Sequence, residues 1–201
     1  KGSDLIAGTH GRSLWIIDDL NILRDLAQSG PEVTTRLFKP KRAFRLNRSI
    51  MRSHPLPGKN YHQLGLGNAS TYVVKKTASG HSSLHFLDAG ESPPMGVVVH
   101  YFLHTAPDAP IELSIADSSS ALIRTFTSTS SSGDEGLPED VILSVKVGLN
   151  HFVWDMHHKN ARLIPDDLAI ANKPTAPAAV PGSYEVRLSV GKKTLTQTFE
   201  I

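Results

Sequence analysis

The stretch 3-SDLIAGTHGRSLWIIDDL-20 decides how the rest of the chain is read. Two short β-rich runs, 4-DLIAGTH-10 and 13-SLWII-17, flank the pair Gly11-Arg12. That arrangement predicts a β-hairpin. Leu5, Ala7 and Thr9 fall on one face, and Ile6, Gly8 and His10 on the other. Leu14 and Ile16 oppose Trp15 and Ile17 on the second strand. Both faces are largely apolar, a pattern of strands covered on both sides, as in layered or stacked sheets. A two-stranded hairpin is not stable alone in water. This one requires cover, either from the rest of the chain or from sequence upstream of Lys1.

Working outward, 18-DDLNILRDLAQSG-30 predicts a short helix, with Asp18 or Asp19 as its cap and Gly30-Pro31 as its stop. Leu20, Ile22, Leu23 and Leu26 give it an apolar side. The basic segment 36-RLFKPKRAFRL-46 reads as extended, and Pro40 makes it an edge or a connector. Residues 47–96 read as an irregular linker or insertion, with strands expected only at 71–76 and 84–87. From residue 97 the alternation sharpens. Strands are expected at 97–104, 111–117, 122–128, 141–147, 150–156, 183–190 and 194–201. Ile111, Leu113 and Ile115 face inward, as do Tyr184, Val186, Leu188 and Val190. Phe152, Trp154 and Met156 share a face. Seven short strands with regular turns predict an antiparallel β-sandwich. The chain thus divides into 1–17 (hairpin), 18–46 (helix and connector), 47–96 (linker) and 97–201 (sandwich). The segments 128–140 and 157–181 read as loops.

Composition removes whole classes of function. The 201 residues suit one domain with an appendage. With 21 basic and 19 acidic residues the net charge is +2, which argues against nucleic acid as a partner. There is no cysteine, so disulfides, zinc–thiolate sites and cysteine nucleophiles are excluded. The longest strongly apolar run, 97-VVVHYFL-103, is strand-length, so no membrane insertion is expected. Lys1-Gly2-Ser3-Asp4 lacks a signal-peptide pattern, so a cytosolic chain, a processed mature form and a fragment are all open readings.

Candidate sites are few. Asp155, His157 and His158, with Asp166 and Asp167 further on, have side chains that bind divalent metals, but their spacing matches no strong motif. A polar loop is the blander reading, and no cofactor is expected. His100 and His104 fall on one strand face about 13 Å apart, too far to share a metal. Arg12, Tyr61 and Tyr72 are candidates for surface contact. For Arg12 the alternative is a plain turn in which Gly11 supplies the positive φ. Trp154 is a candidate sugar-stacking ring, but its phase with Phe152 and Met156 favours a core position. Asp134, Glu135, Glu139 and Asp140 form an acidic loop without an EF-hand pattern. The triplets Asn47-Arg48-Ser49 and Asn68-Ala69-Ser70 match a glycosylation sequon.

The stretch DLIAGTHGRSLWIIDDL resembles the closing strands of β-propellers in bacterial sortilin-like proteins built from BNR (Asp-box) repeats, which are glycosyl-hydrolase-like. ESPPMGVVVHYFL, IELSIADSSSALIRTF, GLNHFVWDM and AVPGSYEVRLSVGKKTLTQTFEI resemble the downstream segments of the same family. The last two are also similar to the immunoglobulin-like domain of flagellar hook-capping proteins and to bacterial C-terminal sorting domains. The resemblance covers 3–46 and 90–201 and is poor over 47–89. It implies an all-β fold: an immunoglobulin-like antiparallel β-sandwich preceded by the last hairpin of a propeller and a short helix. It implies a secreted parent, extracellular or periplasmic, in which this part is a non-catalytic structural or interaction module. The partners it implies are upstream propeller blades of the same protein or another subunit, in an oligomeric assembly or not. Any catalytic residues of the family lie upstream, so none is assigned here. The competing reading is a carbohydrate-binding accessory domain of a BNR-repeat enzyme.

Overall fold

A computed structural model describes residues 4–11, 14–29, 34–45, 59–63, 69–76, 82–87, 94, 96–129, 142–159 and 176–201. Within them the chain is nearly all β, with one short helix and several antiparallel sheets. Strands β1 (Leu5–Gly8) and β2 (Leu14–Ile17) pair as the expected hairpin, and Gly11 at its turn has φ 75°. Helix α1 spans Leu20–Gln28. Asp19 stands at its N-cap position but caps nothing with its side chain, and its own backbone is left-handed at φ 58°. The helix buries Ile22 and leaves Leu23 exposed.

Strand β3 (Arg36–Leu37) pairs with the edge of β7 (Val97–Leu103). The extended chain that follows bridges two sheets. The Phe38 N–H donates to the His100 carbonyl at 3.0 Å, and the Ala43 N–H to the Glu200 carbonyl at 3.0 Å. Leu37, Phe38 and Ala43 are buried by this arrangement. The Pro40 rule for an edge segment therefore matches what is found.

Residues 47–96 hold more order than their sequence predicts. β4 (Lys59–Gln63), β5 (Ala69–Lys76) and β6 (Ser82–Phe86) form a three-stranded antiparallel sheet with β5 in the middle. The sequence does not foretell β4, because KNYHQ carries no apolar alternation. Its pairing with β5, from Lys59↔Val73 to Gln63↔Ala69, supplies the strand instead.

The larger body comprises β7, β8 (Glu112–Asp117), β9 (Leu122–Thr127), β10 (Gly148–Trp154), β11 (Ser183–Val190) and β12 (Lys193–Glu200). They form two sheets, ordered β10-β7-β3 and β12-β11-β8-β9. Val97, Val99, Tyr101 and Leu103 of one sheet and Leu113, Ile115, Val186 and Leu188 of the other belong to one buried cluster. Period-2 alternation places them there, with Glu112 and Arg187 facing solvent. No helix among the described residues is long and apolar enough to cross a membrane.

One expected strand is absent. Residues 142–147 of the expected strand 141–147 pair in no ladder. The Leu143 N–H donates to the Thr127 carbonyl at 2.9 Å, and Asn150, buried on β10, holds Lys146 of this segment by both its backbone groups. Its Oδ1 accepts from Ser144 Oγ at 2.7 Å and from the Lys146 N–H at 3.1 Å. Its Nδ2 donates to the carbonyls of Lys146 and Gly148 at 2.7 and 3.0 Å. Side-chain to backbone bonds of this kind compete directly with a sheet ladder.

Candidate functional site

The hairpin that the sequence marks as needing cover is uncovered. All eight residues of β1 and β2 are exposed, and their large side chains range from 45% exposure at Leu5 to 72% at Leu14. The register puts Leu5, Ile17, Ala7 and Trp15 on one face and Ile6, Ile16, Gly8 and Leu14 on the other. Apolar surface is therefore presented on two opposite sides. Within the described residues each strand pairs only with the other, so both outer edges keep their backbone donors and acceptors. Apolar surface on two sides and open strand edges are features shared by docking surfaces and aggregation-prone edges.

Polar groups gather at the base of the hairpin, in a cleft of about 240 Å³. Asp4 precedes β1. Its Oδ1 accepts from the Asp19 N–H at 3.1 Å and from Lys41 Nζ at 3.0 Å. Lys41 Nζ also lies 2.6 Å from Asp19 Oδ1. His100 Nδ1 stands 3.9 Å from Asp19 Oδ2. The hydrogen bond from Lys41, followed by that from the Asp19 N–H, holds the Asp4 carboxyl below the usual carboxylate range. Burial opposes the charge on Lys41, but bonding to Asp19 and Asp4 more than offsets it and raises the ammonium.

Burial pushes His100 below its ordinary value of 6.5, against the attraction of Asp19, and the nearby His151 and Lys41 add to the shift. The unfolded chain takes up this proton near pH 6.5, whereas the folded chain resists it. The unfolded state thus binds more protons as pH falls through that point, and the His100 contribution to stability is lost on acidification. His100→Gln is expected to flatten that part of a thermal-unfolding profile measured across pH. An unchanged slope contradicts the assignment.

Of the sequence candidates at 155–158, Asp155 and His157 meet: His157 Nδ1 lies 3.8 Å from Asp155 Oδ2, and the His157 N–H donates to Asp155 Oδ1 at 3.2 Å. Asp155 Oδ1 lies 3.5 Å from Arg124 Nη1, and Arg124 stacks 4.8 Å over the Phe126 ring. His157 holds the Asp155 carbonyl through Nδ1 at 2.7 Å. The His158 N–H donates to the Pro177 carbonyl at 3.0 Å. Among the described residues no three His, Asp or Glu side chains are grouped to hold a metal. Asp166, Asp167, the acidic loop 134–140, Asn47, Asn68 and Arg12 lie outside the described residues. Tyr61 falls on β4, where only the backbone is described. Tyr72, read as a surface contact, is instead buried on the central strand β5, where its ring packs 5.9 Å from that of Phe86.

Trp154 is fully buried and its Nε1 donates to the His157 carbonyl at 3.0 Å, so it offers no face to a sugar. His100 faces away from the shared core, while His104 lies in an exposed bend after β7. Sequence reasoning missed the Asp4–Lys41–Asp19 grouping. Its members are separated by up to 37 residues, and no local motif connects them. No protein-family model, curated protein or solved structure matches this chain.

Proposed function

We propose that this chain is a non-catalytic structural and interaction module that docks through its β1–β2 hairpin. The observation that carries this reading is the hairpin itself, apolar on two faces and covered on neither. Two-sided apolar strands with open edges fit the interior of stacked sheets, and blades of a β-propeller provide such a place. The hairpin would then close the last blade of a secreted propeller whose other blades belong to the same parent or another subunit.

The body is an immunoglobulin-like β-sandwich on this reading. Two features support it. The inner residues of both sheets share one core. Tyr184, near the start of β11, donates its hydroxyl to the Val180 carbonyl four residues upstream, the pattern of a tyrosine corner. For the carbohydrate-binding alternative, Trp154 and Tyr72 are buried and offer no ring face to a sugar.

The test is the mass of the native protein carrying this sequence, with peptide mapping upstream of Lys1. A species well above 21.8 kDa with repeated four-stranded blade sequences upstream is expected. A native monomer of 21.8 kDa contradicts the reading.

A further inference from the structure

We propose that Lys41 is an ionic clamp that fixes the pose of the β1–β2 hairpin against the two-sheet body. Every residue of the two hairpin strands is exposed, so apolar burial cannot set the hairpin's orientation. Its polar anchorage lies at its base. Asp4, immediately before β1, bonds both to the Asp19 N–H and to Lys41 Nζ, and Lys41 simultaneously meets the Asp19 carboxylate. One ammonium thus joins the residue entering the hairpin to the residue that opens helix α1.

Lys41 is itself mounted on the body. It sits between Phe38, bonded to β7, and Ala43, bonded to β12, and both of those residues are buried. Asp19 adopts a left-handed backbone that non-glycine residues seldom adopt. Its carboxylate is 17% exposed and lies in the cleft beside His100 instead of capping α1. A helix-cap residue diverted from its cap into an ion pair is the mark of a position fixed by that pair. Exposed single ion pairs contribute little. This one engages two carboxylates, one of them mostly shielded, from a segment held at both ends.

The purpose of the clamp rests on the docking reading above: a hairpin held at one angle holds whatever it enters at one angle to the sheets. The clamp itself is tested on the 201-residue chain alone. Backbone relaxation and residual dipolar couplings are measured for the amides of β1, β2, β7 and β11 in the wild type, Lys41→Met, Lys41→Arg and Asp4→Asn. In the wild type and in Lys41→Arg the hairpin is expected to share the alignment of the body, with order parameters near ~0.85. In Lys41→Met and Asp4→Asn the hairpin values are expected to fall below ~0.6 while those of β7 and β11 stay unchanged. If Lys41→Met unfolds the body, Asp4→Asn decides by the same criterion. Hairpin amides that keep their order and alignment in the variants overturn the clamp, as does a hairpin already uncoupled in the wild type. A native mass of 21.8 kDa leaves these outcomes untouched, so the clamp and the docking reading fail separately.

Discussion

Gly96→Ala is expected to destabilise the chain by at least about 3 kcal/mol. Gly96 has φ 152°, and a Cβ at this position would collide with the Trp154 carbonyl oxygen and lie 2.9 Å from Val153 Cγ1. Neither neighbour can retreat cheaply. Trp154 is paired with Val97 at the start of the β7–β10 ladder, and both residues are fully buried. Admitting a methyl group means drawing β10 away from β7 where the core is tightest. Gly182 serves as the control, because a methyl group there would meet no atom within 4 Å. Denaturant unfolding is expected to place Gly182→Ala within about 0.5 kcal/mol of wild type. A loss below about 1 kcal/mol at Gly96 contradicts the close approach of the two strands.

Trp154→Ala is expected to cost about 3–5 kcal/mol. The indole is fully buried, with ring centroids 5.8 Å from Tyr184 and 6.2 Å from Phe199, so it joins the sheet of β7 and β10 to that of β11 and β12. Truncation leaves a large cavity and removes the donor to the His157 carbonyl. Against a typical total stability of ~5–15 kcal/mol, such a loss unfolds a large share of molecules on mild heating. Leu122→Ala, at a side chain 65% exposed, is expected to stay within about 0.5 kcal/mol. Thermal and denaturant unfolding of the two variants check the contrast. Equal effects would place Trp154 outside the core.

These two sites also show which parts of the structure the sequence exposes. The strands of the body are legible because burial follows alternation: Leu113 and Ile115 lie inside while Glu112 lies outside, and Tyr184, Val186 and Leu188 repeat the pattern. The hairpin is legible for the same reason, and its two apolar faces already announce that something must cover it. Polar side chains that act on backbone are harder to read. Asn150 bonds both backbone groups of Lys146 in the segment before β10, yet in the sequence it is one asparagine after a glycine and a leucine. β4 is hidden because its partner strand, not its own pattern, makes it a strand.

The candidate site is legible by half. Asp19 is where helix rules place a cap, but those rules do not foresee a carboxylate turned toward a lysine 22 positions further along. Tyr72 reads as an open aromatic because nothing near it alternates clearly, yet it is buried with its ring packed on Phe86 of the neighbouring strand. Asp155, His157 and His158 are neighbours in sequence; Asp155 meets both Arg124 and His157, while the His158 N–H bonds to the segment near Pro177.

The measurement that bears most directly on the docking reading is amide hydrogen exchange at Leu5–Gly8 and Leu14–Ile17, taken in the native protein as isolated and in the 201-residue chain alone. An uncovered hairpin with open edges exchanges quickly, because it opens locally at little free-energy cost. Fast exchange in the isolated chain and strong protection in the native protein are expected, on both strands. Fast exchange in both would contradict the docking reading, since the apolar hairpin would then be left uncovered in the protein as it exists.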